Sequence, residues 1–255
     1  MPESYIEPLT DRQQCHTCHK TVTGKKKLSK CAGCHAITYC GVECQREDFL
    51  RHKWNCLPVM VTEIPGKGRG LVAAKNIKIG EVIFTDKPVI KIFTKRANDI
   101  NDFNTFEENI GSVLEQLNKL PSEAIRQFQE LRVPDGMLGQ ENAFILTYLK
   151  FIANSRTRYA NDGSELHCHM LSLNNALVNH SCVPNVTMGA EKLSDEHKVE
   201  LRAIKDISRG EEVTVSYLNE DFISNFGLNR ENRREKLKSA LGFDCNCSFC
   251  TERPD

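Results

Sequence analysis

The chain has 255 residues, 40% of them hydrophobic, enough to bury one sizeable core with a small module beside it. Lysine plus arginine and aspartate plus glutamate both number 34, so the formal net charge is zero, which argues against bulk binding to nucleic acid or to an anionic membrane. No apolar run approaches the ~20 residues of a membrane span.

In chain order, residues 1–14, MPESYIEPLTDRQQ, form a polar, acidic segment without the apolar stretch of a signal peptide. The chain is therefore expected in a reducing compartment, where twelve cysteines point to metal rather than to disulfides. Seven of the twelve fall in residues 15–56 and none between 57 and 167, which puts a first domain boundary near LPVMVTEIPG. CHTC (15–18) and CAGC (31–34) are followed by Cys40, Cys44, His52 and Cys56, eight candidate ligands, the number that two closed tetrahedral zinc sites need. The i, i+4 spacing is expected to set Cys40 with Cys44, and His52 with Cys56, on one face of a helical turn. Consecutive and interleaved pairing are both compatible with the spacing. His16, His19 and His35 are left over and read as solvent-exposed turn residues, and the lysines of TGKKKLSK as a loop tip.

From 61 to 93 the chain is rich in β-branched residues and alternates around glycine turns, which predicts short strands. From 100 to 160 the spacing turns helical. Phe106, Ile110, Val113, Leu114 and Leu117 form one stripe; Phe144, Ile145, Tyr148, Leu149 and Ile152 form another. Residues 172–218 return to strands and loops, and 228–241 read as a short basic helix. KNIKIGEVIF (75–84) and KDISRGEEVTVSY (205–217) echo each other, each predicted to turn a corner at a glycine, Gly80 or Gly210, and to feed a strand. Residues 11–58 carry nine Lys/Arg and four Asp/Glu, and residues 97–141 carry three and nine. Both imbalances are expected on solvated faces, with attraction of a cationic peptide to the acidic stretch as the sharper alternative.

The tail CNCSFC (245–250) holds three thiols, one short of a closed zinc site. Outside the finger and the tail only Cys168 and Cys182 remain. Cys168, between His167 and His169 in LHCHM, reads as part of a loop without a metal role. Cys182 lies in NHSCVPN, a loop bounded by Pro184.

YCGVECQREDFLRHKWNC, with Tyr39, Gln45 and Trp54, resembles the MYND zinc finger. NHSC (179–182), VSY (215–217), CNCSFC and GKGRGL (66–71) together resemble the SET-domain protein methyltransferases. Nearly all of residues 15–250 is similar to the family that joins the two, the SET-and-MYND proteins. The resemblance implies an α+β fold: a small β-rich SET fold with a helical insert, preceded by a double-zinc finger and closed by a zinc-bound post-SET tail. The implied divisions are a polar segment 1–14, finger 15–56, N-terminal SET strands 61–93, helical insert 94–171, SET core 172–243 and tail 244–255. It implies interleaved zinc sites, Cys15, Cys18, Cys40 and Cys44 on one ion and Cys31, Cys34, His52 and Cys56 on the other. It also supplies the missing tail ligand, Cys182 with Cys245, Cys247 and Cys250, for three zinc ions in all.

The implied activity is transfer of a methyl group from S-adenosylmethionine (AdoMet) to a protein lysine, histone or non-histone, catalysed by positioning and desolvation. By matched motif, Lys67, Gly68 and Arg69 lie near the methionine end of the cofactor. Asn154, Asn179 and His180 hold it, Phe243 packs on its adenine, and Tyr217 touches it while orienting the amine. Taken singly, GKGRG is a hairpin turn, Tyr217 a strand aromatic and His180 a core histidine; their conjunction carries the functional reading. The finger is expected to bind proteins, proline-rich peptides among them. A monomer in cytoplasm and nucleus is expected, with neither membrane nor sequence-specific nucleic-acid contact. Three departures stand out. The finger precedes the SET region, which it interrupts in most relatives. The helical C-terminal domain that roofs the substrate cleft is expected to be missing. Arg156 replaces an aromatic of the lysine channel, and Leu241 stands where relatives carry a channel tyrosine. This last departure favours a second reading, an adaptor of weak or no activity that works through its finger.

Overall fold

The computed structural model describes residues 14–22, 28–53, 56–95, 103–134, 142–159, 167–189, 198–218 and 229–251. No described helix is long and apolar enough to cross a membrane. Trp54 lies outside these residues, as does nearly all of the N-terminal segment.

In the finger, β1 (Ser29–Lys30) pairs antiparallel with β2 (Thr38–Tyr39), and α1 (Val42–His52) follows. Its buried centre is Cys15, Cys31, Cys34 and Tyr39. With one aromatic and three thiols as its core, the unit has too little apolar surface to fold without metal. The Tyr39 hydroxyl donates to Asp48 Oδ2 at 2.8 Å, and the same carboxylate oxygen lies 3.6 Å from His16 Nε2. His16 is therefore buried and paired, which corrects its reading as a solvent-exposed turn residue. His19 and His35 are exposed, as expected, with φ of 55° and 58°. Each closes its Cys-x-x-Cys turn by donating its backbone N–H to Cys15 O or Cys31 O at 2.9 Å.

The hairpin of β3 (Val59–Ile64) and β4 (Gly68–Ala73) opens the main body, followed by β5 (Val82–Asp86) and β6 (Ile90–Thr94). Helices α2 (Phe103–Leu117), α3 (Ser122–Gln129) and α4 (Ala143–Asn154) come next, then β7 (Arg156–Tyr159) and β8 (His167–Leu171). The remaining strands are β9 (Asn179–His180), β10 (Val186–Gly189), β11 (Val199–Ala203) and β12 (Glu212–Val215), before α5 (Arg230–Leu241) and the short α6 (Ser248–Thr251). Among the described residues the main body has three small sheets, ordered β3-β4-β12-β9, β10-β11-β5 and β6-β8-β7. One core, around Leu71, Ile77, Phe84, Leu201 and Val213, lies between the first two sheets. A second, around Ile90, Phe128, Tyr148, Phe151 and Leu171, fastens the helices to the third.

The sequence echo is a structural one. Ile77 and Ile207 exchange both backbone hydrogen bonds at 2.9 Å. Gly80 and Gly210 turn with φ of 85° and 88°, a region that costs glycine least. Each donates at 2.8 Å to the strand beside the other unit, Gly80 to Ala203 O and Gly210 to Ala73 O.

Three further expectations are corrected. Neither Cys40 with Cys44 nor His52 with Cys56 shares a helical turn: Cys40 precedes α1 and Cys56 lies beyond it, while the two ends of α1 supply Cys44 and His52. Helical character stops at Asn154, and β7 and β8 occupy ground read as helix or loop, with Cys168 fully buried in β8. On α4 the buried face is Tyr148 and Phe151, with Phe144 60% exposed. Tyr148 meets Phe106 of α2 edge-on at 5.1 Å.

Candidate functional site

Three groups of four ligand atoms converge, each group within 4.8 Å: Cys15, Cys18, Cys40 and Cys44; Cys31, Cys34, His52 and Cys56; and Cys182, Cys245, Cys247 and Cys250. Tetrahedral zinc, with bonds of about 2.3 Å to sulfur and about 2.0 Å to nitrogen, sets its ligands ~3.8 Å (S–S) and ~3.5 Å (S–N) apart. Cys18 and Cys40 are 3.7 Å apart, Cys31 and Cys56 3.7 Å, Cys182 and Cys245 3.9 Å, and Cys182 and Cys250 3.6 Å. His52 Nε2 lies 3.3 Å from Cys31 Sγ and 3.5 Å from Cys34 Sγ. The side chains thus fit three zinc ions, interleaved in the finger. Electrostatics agree. The Cys245 and Cys247 thiolates push the Cys182 thiol far up while Cys247 is held down, so the ligands compete for protons until a dication lets all of them ionise.

The third group ties the tail to the centre of the fold. Gly242 ends α5 in the left-handed region, at φ 73°, and reverses the chain with its N–H on Lys238 O. This brings Phe243 to 5.9 Å from the His180 ring and 6.3 Å from the Tyr217 ring. β9 runs parallel to β12, with Asn179 opposite Thr214 and His180 opposite Val215, so NHSC and VSY reach the site side by side. Asn185 locks the loop by accepting from Thr214 N–H at 2.9 Å and donating to Glu212 O at 2.8 Å.

The His180 ring is fully engaged. Its Nδ1 accepts from Tyr217 N–H at 2.9 Å, which leaves the proton on Nε2, 3.3 Å from Cys182 Sγ. Burial holds the ring neutral, down to about 4. It is a support for Tyr217 and for the Cys182 thiolate. The Tyr217 hydroxyl donates to Val178 O at 2.8 Å, and burial raises it above the ordinary tyrosine range against the pull of Arg156.

Glu212 was not singled out by the sequence, yet it organises one wall. It takes Lys67 Nζ at 2.6 Å and Asn179 Nδ2 at 3.0 Å. Arg69 is likewise taken by Glu130 at 2.5 Å and by Glu130 O at 2.9 Å. Asn154 donates to Arg132 O at 2.8 Å and Lys150 O at 2.9 Å, fixing the chain after α3. That places Arg132 over the glycine loop, where a Cβ on Gly68 would lie 2.7 Å from its Nη1. Lys67 and Arg69 are thus neutralised by internal carboxylates, whereas Arg132 has no ion pair among the described residues. One signal in the sequence pointed to Glu212: the second glutamate of GEE, absent from the first copy of the echo.

The arrangement fits a ligand that carries a carboxylate and an aromatic ring: the Arg132 cation faces the glycine loop, and Phe243 stands by His180 and Tyr217. Among the described residues the buried amide of Asn175 and hydroxyl of Ser172 find no hydrogen-bond partner.

The SET domain family model matches residues 68–218, and the MYND finger model matches residues 15–56. The N-lysine methyltransferase SMYD2 of Homo sapiens is 26% identical over 98% of this chain and 54% of its own length. The histone-lysine N-methyltransferase Smyd1 of Mus musculus is 28% identical over 92% of this chain and 46% of its own. The chain spans about half the length of these relatives.

Proposed function

This chain belongs to the SET domain family and carries a MYND finger ahead of its SET region, and from that premise we propose that it is an AdoMet-dependent protein-lysine N-methyltransferase. The observation that carries the reading is the convergence of Tyr217, His180 and Phe243, held together by β9, β12 and the Cys182 zinc group.

AdoMet, when bound, supplies an electrophilic methyl group. In this reading Arg132 holds its carboxylate end, Lys67, Gly68 and Arg69 shape the loop beneath, the Asn179 amide braces that loop from Glu212 to Arg69 O, and Phe243 covers its ring. The amine gives its proton to solvent before entering the site, so no strong base is required. The donor bond to Val178 O fixes the Tyr217 hydroxyl and leaves its oxygen free to accept an N–H from the incoming lysine. That contact orients the nitrogen lone pair for in-line attack. The finger is proposed to bind protein partners, proline-rich peptides among them; support comes from Val42, Phe49 and Leu50 of α1, 57–70% exposed.

A second reading, an adaptor with an idle SET core, is favoured by one observation: the Arg156 guanidinium lies on the Tyr217 ring. Equilibrium binding of AdoMet to zinc-loaded protein, then methyl transfer to a mixed pool of histones and cell-extract proteins, tests the proposal. Binding with transfer supports it. Binding without transfer to any protein leaves the adaptor, and absence of binding removes both cofactor readings.

A further inference from the structure

Arg156 has no part in the chemistry described above. It opens β7 directly after α4, and its guanidinium carbon sits 4.2 Å from the centroid of the Tyr217 ring. The rest of that ring is already surrounded: His180 lies at 5.3 Å, Phe243 meets it edge-on at 6.3 Å, and the hydroxyl is bonded to Val178 O at 2.8 Å. A cation in this position is held by the negative face of the ring. An incoming lysine therefore meets a like charge on its approach, while it is still an ammonium and has not yet given its proton to solvent.

Nor do the described residues offer a free carboxylate to draw Arg156 aside. Glu212 is taken by Lys67 and Asn179, at 2.6 and 3.0 Å. Glu130 is taken by Arg69 and Arg126. Arg156 forms no ion pair among the described residues. A carboxylate arriving with the substrate can supply the countercharge that lifts it from the ring, since a guanidinium matches a carboxylate through two parallel hydrogen bonds.

We propose that Arg156 is a specificity-determining residue that admits a protein lysine flanked by aspartate or glutamate, whose carboxylate draws the guanidinium off Tyr217. The inference rests on the methyltransferase reading and names its substrate class. A lysine among basic residues adds to the repulsion and is refused.

The test uses the full zinc-loaded chain and three lysine peptides that differ only in their flanking residues: glutamate, alanine or arginine. Wild type, Arg156→Phe and Arg156→Gln are compared in kcat/KM, with AdoMet affinity and circular dichroism as checks on cofactor site and fold. Wild type should favour the glutamate-flanked over the arginine-flanked peptide by about tenfold or more, about 1.4 kcal/mol. In both variants the preference should shrink to about two- to threefold, about 0.5 kcal/mol, with AdoMet affinity unchanged. The glutamine variant keeps a polar side chain, so loss of fold in the phenylalanine variant alone does not block the test. The inference is overturned by a preference that persists in both variants, by its absence in wild type, or by loss of AdoMet affinity in both variants. A silent wild type beside an active variant also overturns it, since Arg156 would then be a fixed plug. If all three proteins bind AdoMet and none methylates any peptide, the methyltransferase reading falls with it. That outcome differs from failure of the selection alone, in which transfer is measured and residue 156 leaves its preference unaltered.

Discussion

Gly70→Ala adds one methyl group to β4, where the first wall of the site is closest-packed. An ideal Cβ at Gly70 would lie 2.4 Å from Asn179 Nδ2 and 2.7 Å from Ile64 Cγ1, well inside ordinary contact distance. Neither neighbour can withdraw freely. The Asn179 amide donates to Arg69 O at 3.3 Å and Glu212 Oε1 at 3.0 Å. Ile64 sits in β3 opposite Gly68, and its branched side chain has few χ1 choices. Overpacking of this kind costs ~1–3 kcal/mol, and weakening a part-buried hydrogen bond to a carboxylate adds about 1.5 kcal/mol or more. Together they amount to about 3 kcal/mol, a fall in Tm of about 6–12 °C for a domain of this size. Calorimetry reads the first effect and AdoMet titration the second. Affinity should drop by about tenfold or more, because Asn179 must swing out of the wall. A Gly70→Ala protein that melts within a degree or two of wild type and binds AdoMet equally well would refute the role given to Asn179.

The zinc groups should separate by function: Cys182→Ser frees the tail and Phe243 and should abolish AdoMet binding, while Cys40→Ser should unfold the finger and leave cofactor affinity nearly intact. The reverse pattern would break the division between finger and catalytic body. Metal analysis should find three zinc ions per chain, and chelation should expose eleven ligand cysteines to alkylation while Cys168, fully buried and pushed up to about 11 by that burial, stays slow. A rapid reaction at Cys168 in the folded protein would contradict its place in β8. Gly111→Ala, inside α2 where a new Cβ meets nothing within 4 Å, should stabilise the protein by up to ~1 kcal/mol, read as a higher Tm.

The parts legible in the sequence are those with local causes. Eight ligands crowded into 42 residues have no packing explanation, so the finger was legible, and so were the two glycine corners that Gly80 and Gly210 turn. Spacing alone could not decide how the finger ligands pair, because α1 carries Cys44 and His52 to different ions. What stayed hidden depends on distant partners. Lys67 and Glu212 are 145 residues apart in sequence, and Arg69 and Glu130 are 61 apart. His16 looks like any turn histidine until Asp48 arrives beside it. β7 reads RTRY, with no apolar alternation, and is a strand because it pairs with β8. That pairing is what aims Arg156 at Tyr217, and no local pattern announces it.

The central claim, that Tyr217 orients a lysine amine for methyl transfer, is tested most directly by single-turnover transfer from AdoMet in wild type and in Tyr217→Phe. The substitution removes one hydroxyl and almost no volume, so fold and AdoMet affinity should persist. Losing the group that Val178 O holds in place should slow transfer by ~100-fold or more, about 3 kcal/mol of transition-state stabilisation. A transfer rate in Tyr217→Phe equal to that of wild type would contradict the account.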